Sequence, residues 1–270
     1  MGREPKLLVA VGKKGCGKSY TTFKMIENYV MGNPSKGVPP RRVLILDVND
    51  EYQQVKALRI QDVSLFSVHP MIEVRRIRPF LDDGKKMTLD DIAQTLFIVL
   101  ETYRNGLLLV EDVNKYISDT MPNDLVGAIC TNRHIGVDII IHYQSIGRIT
   151  SKVWQNVNII RLHKFTDAVK RHKNKFEDKY EYLSIAESMI NAKNEAGDKH
   201  FFLYADIDDE KLYGSFTQKD FENAVNHFVQ QNYSQLISPL LKARDDRGKP
   251  LYNPQTAIAE VKRRLMNYKK

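Results

Sequence analysis

The segment Gly12-Lys13-Lys14-Gly15-Cys16-Gly17-Lys18-Ser19 has the residue types and the spacing to hold a chain of phosphates. It fits the pattern G-x-x-x-x-G-K-[ST] at every specified position. Glycines here let successive backbone N–H groups point at phosphate oxygens, the lysine reaches the β- and γ-phosphates, and the serine hydroxyl binds Mg²⁺. The predicted nucleotide-binding residues are Gly12, Lys13, Lys14, Gly15, Cys16, Gly17, Lys18, Ser19 and Tyr20.

A phosphate-binding loop needs a strand before it and a helix after it, and the sequence predicts both. Residues 7–11 are an apolar run typical of a buried strand, and residues 18–30 are predicted to form a helix. The start of that helix would add a partial positive charge to the site. A glycine-rich turn without a ligand is the alternative. The complete order of strand, loop, lysine, serine and helix favours binding of a nucleoside triphosphate.

Two adjacent acids, Glu111 and Asp112, directly follow a second apolar run at residues 107–110. A buried strand would bring both carboxylates to the sheet edge beside the phosphate loop, where one holds magnesium and the other polarises the attacking water. By position, Glu111 is the metal ligand together with Ser19, and Asp112 is the catalytic acid–base group. Because Glu precedes Asp, the two roles could be exchanged. A strand that merely ends in two solvated acids is the alternative.

The elements that must position these groups are predicted from further apolar runs. Residues 43–47, 137–142 and 157–162 are predicted strands, and they alternate with helices or helix-containing stretches. Such alternation is typical of an α/β fold with a parallel sheet covered on both faces. Ligands bind at the carboxyl ends of the strands in sheets of this kind.

Outside the parallel strands the pattern is more varied. Residues 59–80 are predicted to form short strands and turns, residues 88–103 a helix with Thr88 as its N-cap, and residues 125–131 a short helix. Residues 200–206 and 212–216 predict an antiparallel hairpin at the sheet edge. From residue 217 onward the pattern is helical, and it ends in a basic helix over residues 254–268 with Asn253 as its N-cap.

The composition limits the class of protein. The 270 residues are 42% hydrophobic and 27% charged, as in soluble globular proteins. No apolar run approaches the ~18 residues that a membrane-spanning helix needs. The two cysteines, Cys16 and Cys130, suggest neither a disulfide framework nor a zinc site, which predicts a reducing, cytosolic setting. The net charge of +8 favours a polyanionic partner.

Four places together resemble the HerA–FtsK superfamily of nucleic-acid-pumping ATPases. They are the phosphate loop, the segment Asp47-Val48-Asn49-Asp50-Glu51-Tyr52 (D-x-x-x-E-Y), Gln144 after the strand that follows the acids, and Asn132-Arg133-His134-Ile135-Gly136 just before that strand. The resemblance implies an α/β, RecA-like P-loop ATPase core with a mainly parallel sheet flanked by helices, an antiparallel edge hairpin and a small C-terminal helical appendage. The implied domains are residues 1–216 and residues 217–270.

The resemblance also implies roles for single residues. Gln144 would sense the γ-phosphate, and Arg133 would reach into the site of a neighbouring subunit, with Arg148 as the alternative finger. Asp47 and Glu51 would contact the nucleotide or the neighbouring subunit, or else lie at a solvated strand end. Backbone bonding of Gln144 and a surface role for either arginine are the alternatives. The histidines, including His142 and His163, lack metal-ligand spacing and are predicted surface or packing residues.

Within the superfamily, the sequence is most similar to the genome-packaging ATPases of tailless phages, and around residues 133–144 to the zonular-occludens-toxin-like phage assembly ATPases. The resemblance implies that ATP hydrolysis with Mg²⁺ drives DNA through a hexameric or pentameric ring in the host cytoplasm or on the virion. The ring would dock on a capsid vertex or a membrane protein without itself being transmembrane. Predicted DNA contacts are Lys164, Lys170, Arg171, Lys173 and Lys175, with Lys262, Arg263 and Arg264 in the last helix.

Other functions remain open at this point. A basic face that is only solvated would explain the lysines and arginines equally well. A phage assembly, secretion or DNA-transfer ATPase of the same superfamily would share the whole constellation. A small-molecule kinase would share the loop and the sheet, and a non-hydrolysing nucleotide switch would not need Glu111 and Asp112.

Overall fold

The computed structural model describes residues 4–113, 116, 127, 129 and 132–270, and for residues 132 and 133 it describes the backbone alone. The chain divides into two compact units, Met1–Ile160 and Arg161–Lys270. The short helix predicted for residues 125–131, and Cys130 within it, lie largely outside the described residues. The functional boundary predicted after residue 216 stays a prediction.

The described strands form a mostly parallel sheet in the order β3-β2-β4-β5-β1-β6-β7-β8. They are β1 (Leu7–Val11), β2 (Arg42–Leu46), β3 (Val74–Ile77), β4 (Gly106–Val110), β5 (Asp138–Tyr143), β6 (Ile159–Leu162), β7 (Leu203–Asp206) and β8 (Lys211–Gly214). The predicted α/β class is confirmed, and each predicted strand lies within a few residues of an observed one.

The described helices include those predicted for residues 18–30, 88–103 and 254–268 and several that were not predicted. They are α1 (Lys18–Met31), α2 (Val63–Val68), α3 (Leu89–Thr102), α4 (Asn132–Ile135), α5 (Ser151–Asn156), α6 (Lys173–Phe176), α7 (Tyr180–Glu195), α8 (Gln218–Gln231), α9 (Tyr233–Leu236), α10 (Ser238–Lys242) and α11 (Pro254–Met266). Thr88 and Asn253 cap α3 and α11 with reciprocal side-chain and backbone hydrogen bonds, as the sequence predicted.

In the first unit, five parallel strands place the predicted site. β5 pairs with β1 on one side and with β4 on the other, and β2 pairs with β4 and with β3. β1, β4 and β5 are buried along their whole length, which explains why they are continuous apolar runs. Because the strands run the same way, the segments after β1, β5, β4 and β2 all emerge at one edge of the sheet.

In the second unit, β7 and β8 form the predicted antiparallel hairpin, with Tyr204 directly opposite Tyr213. α7 has a buried face of large apolar residues, among them Tyr182, Leu183 and Ile185. A salt bridge with two hydrogen bonds joins Arg264 of α11 to Glu181 of α7, at 2.7 and 2.8 Å. This bridge ties the last helix to the longest one of the unit.

Candidate nucleotide-binding and hydrolytic site

The loop between β1 and α1 has the backbone that its glycines were expected to permit. Gly15 and Gly17 have φ of 78° and 85°, in the left-handed region that favours glycine. The ammonium group of Lys18 turns back over the loop and donates to the carbonyl oxygen of Gly12 at 3.1 Å. Lys18 is almost entirely buried, whereas Lys13 and Lys14 are exposed. The buried lysine is therefore enclosed by the loop that would surround the phosphates.

The N-terminus of α1 is open to an anion. Its N-cap is Gly17, so no side chain caps the helix, and its first turn contains no acidic residue. The first backbone N–H groups of a helix have no partner within the helix, and they carry its partial positive charge. Together with Lys18, these groups fit the phosphate chain of a nucleotide.

The strand order brings the other predicted residues to the same edge of the sheet. Glu111 and Asp112 follow β4, and Gln144 follows β5, which lies between β4 and the strand that carries the phosphate loop. Neighbouring strands are ~5 Å apart. Gln144 thus follows a strand that lies between the strand of the phosphate loop and the strand of the two acids.

Glu111 is buried, and only 2% of its surface is exposed. Its Oε1 accepts a hydrogen bond of 2.8 Å from the hydroxyl group of Tyr52. Its Oε2 has no hydrogen-bond partner among the described residues. The pKa of Glu111 is raised to about 8, mainly by burial. The hydrogen bond from Tyr52 lowers this pKa, and the nearby carboxylates of Glu51, Asp47 and Asp112 contribute to raising it.

Two residues of this environment were not expected from the sequence. Tyr52 was part of the D-x-x-x-E-Y segment, but nothing in that pattern indicated its bond to Glu111. His142 was interpreted as a surface or packing residue; it is buried, its Nε2 is 2.8 Å from Oγ1 of Thr22, and its Nδ1 is 3.6 Å from Oε1 of Glu111. These contacts span 31 to 120 positions of sequence, and the folding of the chain brings them together.

Asp112 lies between two amides. Nδ2 of Asn49 donates to its Oδ2 at 3.0 Å, and Nε2 of Gln144 donates to its Oδ1 at 3.4 Å. Asp112 has a φ of 41°, which is uncommon for a residue other than glycine. The structure therefore places Gln144 and Asp112 in contact.

The turn after β2 is anchored by a buried ion pair. The carboxylate of Asp47 is fully buried, and it accepts hydrogen bonds from the backbone N–H groups of Glu51 and Tyr52 at 2.9 and 3.0 Å. Nη1 of Arg76, in β3, donates to Oδ2 of Asp47 at 2.7 Å. Asp47 is therefore not at a solvated strand end. It holds the turn that carries Asn49 and Tyr52 towards the two acids.

Ser19 and Glu111 fit a magnesium ion that is shared with the phosphates of a nucleotide. Both offer oxygen, which Mg²⁺ prefers, and the buried Oε2 of Glu111 is left for such a ligand or for its bound water. Among the described residues, no group of three or more His, Cys, Asp or Glu side chains could hold a metal by itself.

The raised pKa of Glu111 predicts how the stability of the nucleotide-free protein depends on pH. An acid whose pKa rises from 4.5 to about 8 on folding binds its proton more tightly in the folded state. Stability is therefore lost as pH rises from 4.5 to about 8. We expect Glu111→Gln to reduce the decrease in melting temperature between pH 6 and pH 9 by on the order of 5 °C.

The measurement is thermal unfolding with a metal chelator, followed by circular dichroism at several pH values. Glu195→Gln is the matched control, because Glu195 is the exposed last residue of α7, in the second unit. Parallel pH profiles for the wild type and Glu111→Gln would contradict the prediction.

Arg133 and Arg148 are the two arginines that were predicted to reach into the site of a neighbouring subunit. Arg133 lies in α4, and its side chain is outside the described residues. Arg148 is exposed at the end of a short 3₁₀ helix, Ile146–Arg148, that follows Gln144. Both stay predictions.

The predicted DNA-contacting residues lie at the start of the second unit. Lys170 and Arg171 are exposed. Lys164 donates to Oδ1 of Asn191, and Lys173 donates to Oε1 of Gln235 at 3.0 Å. Both lysines therefore form hydrogen bonds within the second unit. Lys175 is half-buried.

In the last helix, Lys262 is half-buried, and Arg263 and Arg264 form ion pairs with Glu260 and Glu181. Lys170 and Arg171 are therefore the best placed of the predicted DNA contacts.

None of the helices in the described part of the chain combines the length and the apolar content that spanning a membrane requires.

No protein-family model and no curated protein sequence matches this chain. Solved structures do. The genome packaging NTPase B204 from Sulfolobus turreted icosahedral virus 2, in complex with AMP, aligns with a TM-score of 0.54 and 18% identity, over 80% of this chain and 99% of that chain. The same protein in complex with AMPPCP aligns with a TM-score of 0.51 and 16% identity, over 78% and 97%.

The N-terminal domain of zonular occludens toxin from Neisseria meningitidis also aligns, with a TM-score of 0.34 and 13% identity, over 59% of this chain and 76% of that chain. The expected resemblance to genome-packaging enzymes is thus confirmed at the level of the fold. At these identities, the likeness establishes the fold alone.

Proposed function

We propose that this protein is an ATPase that uses Mg²⁺ and ATP to translocate DNA, as the packaging motor of a virus. One observation carries the hydrolytic part of the proposal. A phosphate loop with a buried lysine lies at the same sheet edge as a buried Glu111 and as an Asp112 held by amides.

The proposed reaction assigns a task to each of these side chains. The backbone of the loop and Lys18 bind the phosphates, while Ser19 and Glu111 hold the magnesium ion, which neutralises charge on the β- and γ-phosphates when it is bound. Asp112 accepts a proton from the attacking water as the oxygen of that water bonds to the γ-phosphorus. The bond from this phosphorus to the bridging oxygen breaks, and ADP leaves with the electron pair. Gln144 donates a hydrogen bond to the γ-phosphate.

The DNA part of the proposal is supported by charge and by similarity of fold. The chain has a net charge of +8, and Lys170 and Arg171 are exposed where they could contact a phosphate backbone. The structures that it resembles include a protein described as a genome packaging NTPase. In the proposed mechanism, a ring of copies in the host cytoplasm or on the virion docks on a capsid vertex or a membrane protein. Arg133 or Arg148 completes the neighbouring site.

Steady-state ATP hydrolysis with and without linear DNA, at low and at high salt, tests this function. We expect DNA to stimulate hydrolysis severalfold at low salt and the stimulation to disappear at high salt, because binding through phosphate contacts releases counterions. The double variant Lys170→Ala/Arg171→Ala should lose most of the stimulation and keep the rate measured without DNA. Lys219→Ala/Lys242→Ala, which removes the same charge elsewhere in the second unit, is the control.

The same assay tests the ring. A mixture of Arg133→Ala and Lys18→Ala subunits should regain part of the hydrolysis that each variant lacks alone, because one supplies the arginine and the other the intact phosphate site. A rate of ATP hydrolysis that DNA does not change at any salt concentration would rule out the translocase. Transfer of phosphate to a small molecule would favour a kinase.

A further inference from the structure

Asn49 is not part of the proposed reaction, yet its side chain contacts the group that would accept the proton. Its Nδ2 donates to Oδ2 of Asp112 at 3.0 Å, while the other carboxylate oxygen, Oδ1, faces Gln144. Asn49 comes from the turn after β2, and Gln144 comes from the end of β5. These two strands lie on opposite sides of β4, which carries Asp112.

The strand order decides which of the two oxygens can reach a nucleotide. β5 lies between β4 and β1, so Oδ1 of Asp112 is directed to the side of the sheet where the phosphate loop begins. Oδ2 is directed the other way, towards β2 and Asn49. The hydrogen bond from the Asn49 amide to Oδ2 prevents rotation of the carboxylate. Oδ1 then stays directed to the side of the phosphate loop, where a water molecule could contact it.

The two amides differ in how firmly they are held. Gln144 is exposed and its bond to Asp112 is 3.4 Å long, so it can turn to a γ-phosphate without much loss. Asn49 is half-buried, and its turn is held by the carboxylate of Asp47 through the backbone N–H groups of Glu51 and Tyr52. When Gln144 engages the nucleotide, the hydrogen bond from Asn49 still holds Asp112.

The backbone of Asp112 is consistent with a residue that its surroundings hold in place. A φ of 41° is uncommon for a residue that has a Cβ, and such a conformation persists where the surrounding contacts hold it. The geometry points to Asn49 as a positioning residue, which holds Asp112 by Oδ2 so that Oδ1 faces the attacking water. This inference rests on the proposed ATP hydrolysis and is independent of whether DNA stimulates it.

The test compares Asn49→Ala with Gln54→Ala, an exposed amide in the segment that follows the same strand. We expect Asn49→Ala to lower kcat about 10- to 100-fold, as misplacement of a catalytic group does, and to leave the KM for ATP and the Kd for ADP within about twofold of the wild type. Asn49→Asp has the same size but cannot donate the bond, and it should lower kcat at least as much. Gln54→Ala should behave as the wild type.

A double-mutant cycle separates positioning from a general loss of structure. If Asn49 acts through Asp112, Asn49→Ala has no further effect on the residual rate of Asp112→Ala, whereas an effect through folding would persist there. Equal kcat for Asn49→Ala and the wild type, or full additivity in the cycle, would overturn the inference. Wild-type hydrolysis that does not respond to DNA would overturn only the translocase. A wild type that binds ATP without hydrolysing it would overturn both.

Discussion

Replacement of Asp112 by asparagine is expected to slow ATP hydrolysis by a factor of about 10²–10⁴ while ATP still binds. Asparagine matches aspartate in size and can keep a contact with Asn49 or Gln144, but its amide cannot take a proton from water. The phosphate loop and Lys18 are left unchanged, so the affinity for the nucleotide should be close to that of the wild type.

Single-turnover hydrolysis and the binding of a fluorescent ATP analogue measure the two effects separately. Lys18→Ala is the comparison, because it removes the buried ammonium from the loop and should weaken both binding and hydrolysis. A rate for Asp112→Asn within about threefold of the wild type would be far from the usual effect of losing an acid–base group. That result would favour the exchanged assignment, with Glu111 as the acid–base group and Asp112 at the metal.

Loss of the arginine from the buried Asp47–Arg76 pair is expected to cause the largest change in stability. Arg76→Met keeps most of the side-chain volume and leaves the carboxylate of Asp47 in the interior without its positive partner. Breaking a buried pair from one side costs about 3–5 kcal/mol, because a buried charge is left uncompensated. Two backbone N–H groups still donate to Asp47, so we expect about 3 kcal/mol in the free energy of unfolding.

Urea denaturation followed by circular dichroism measures this effect. Arg75→Met is the matched control, because Arg75 is the neighbouring residue of β3 and pairs with Glu73 nearer the surface, where such a pair contributes less than about 1 kcal/mol. Asp47→Asn/Arg76→Met removes both charges and should be more stable than Arg76→Met alone. An unfolding free energy for Arg76→Met equal to that of Arg75→Met would contradict the prediction.

The local sequence pattern was enough to predict the strands and helices that carry the phosphate loop and the two acids. β1, β4 and β5 are apolar runs because they are buried, and a buried strand leaves the same signal in any protein of this class. The capped starts of α3 and α11 were also predictable, since a capping box is a contact between residues three positions apart.

The pattern failed where a tertiary contact overrode local preference. Residues 59–80 were predicted to form short strands and turns, but β3 could not be located among them because it contains Arg75 and Arg76. The buried Arg76 donates hydrogen bonds to Asp47 and Asp50. α7 was not predicted, although it is the longest of the described helices, because tyrosine, serine and asparagine obscure its apolar face. Its aromatic residues are buried against partners that are far away in the sequence.

The sequence by itself determined that this protein has a phosphate loop, a strand ending in two acids and a parallel α/β core, because each of these depends on residues within a few positions of one another. Only the tertiary structure decided which residues surround the acids. Asn49, Tyr52, His142 and Arg76 reach the site from three different strands or the turns after them, and no local spacing encodes such contacts. The order of strands in the sheet, which the chain sequence does not state, decides which polar groups meet at its edge.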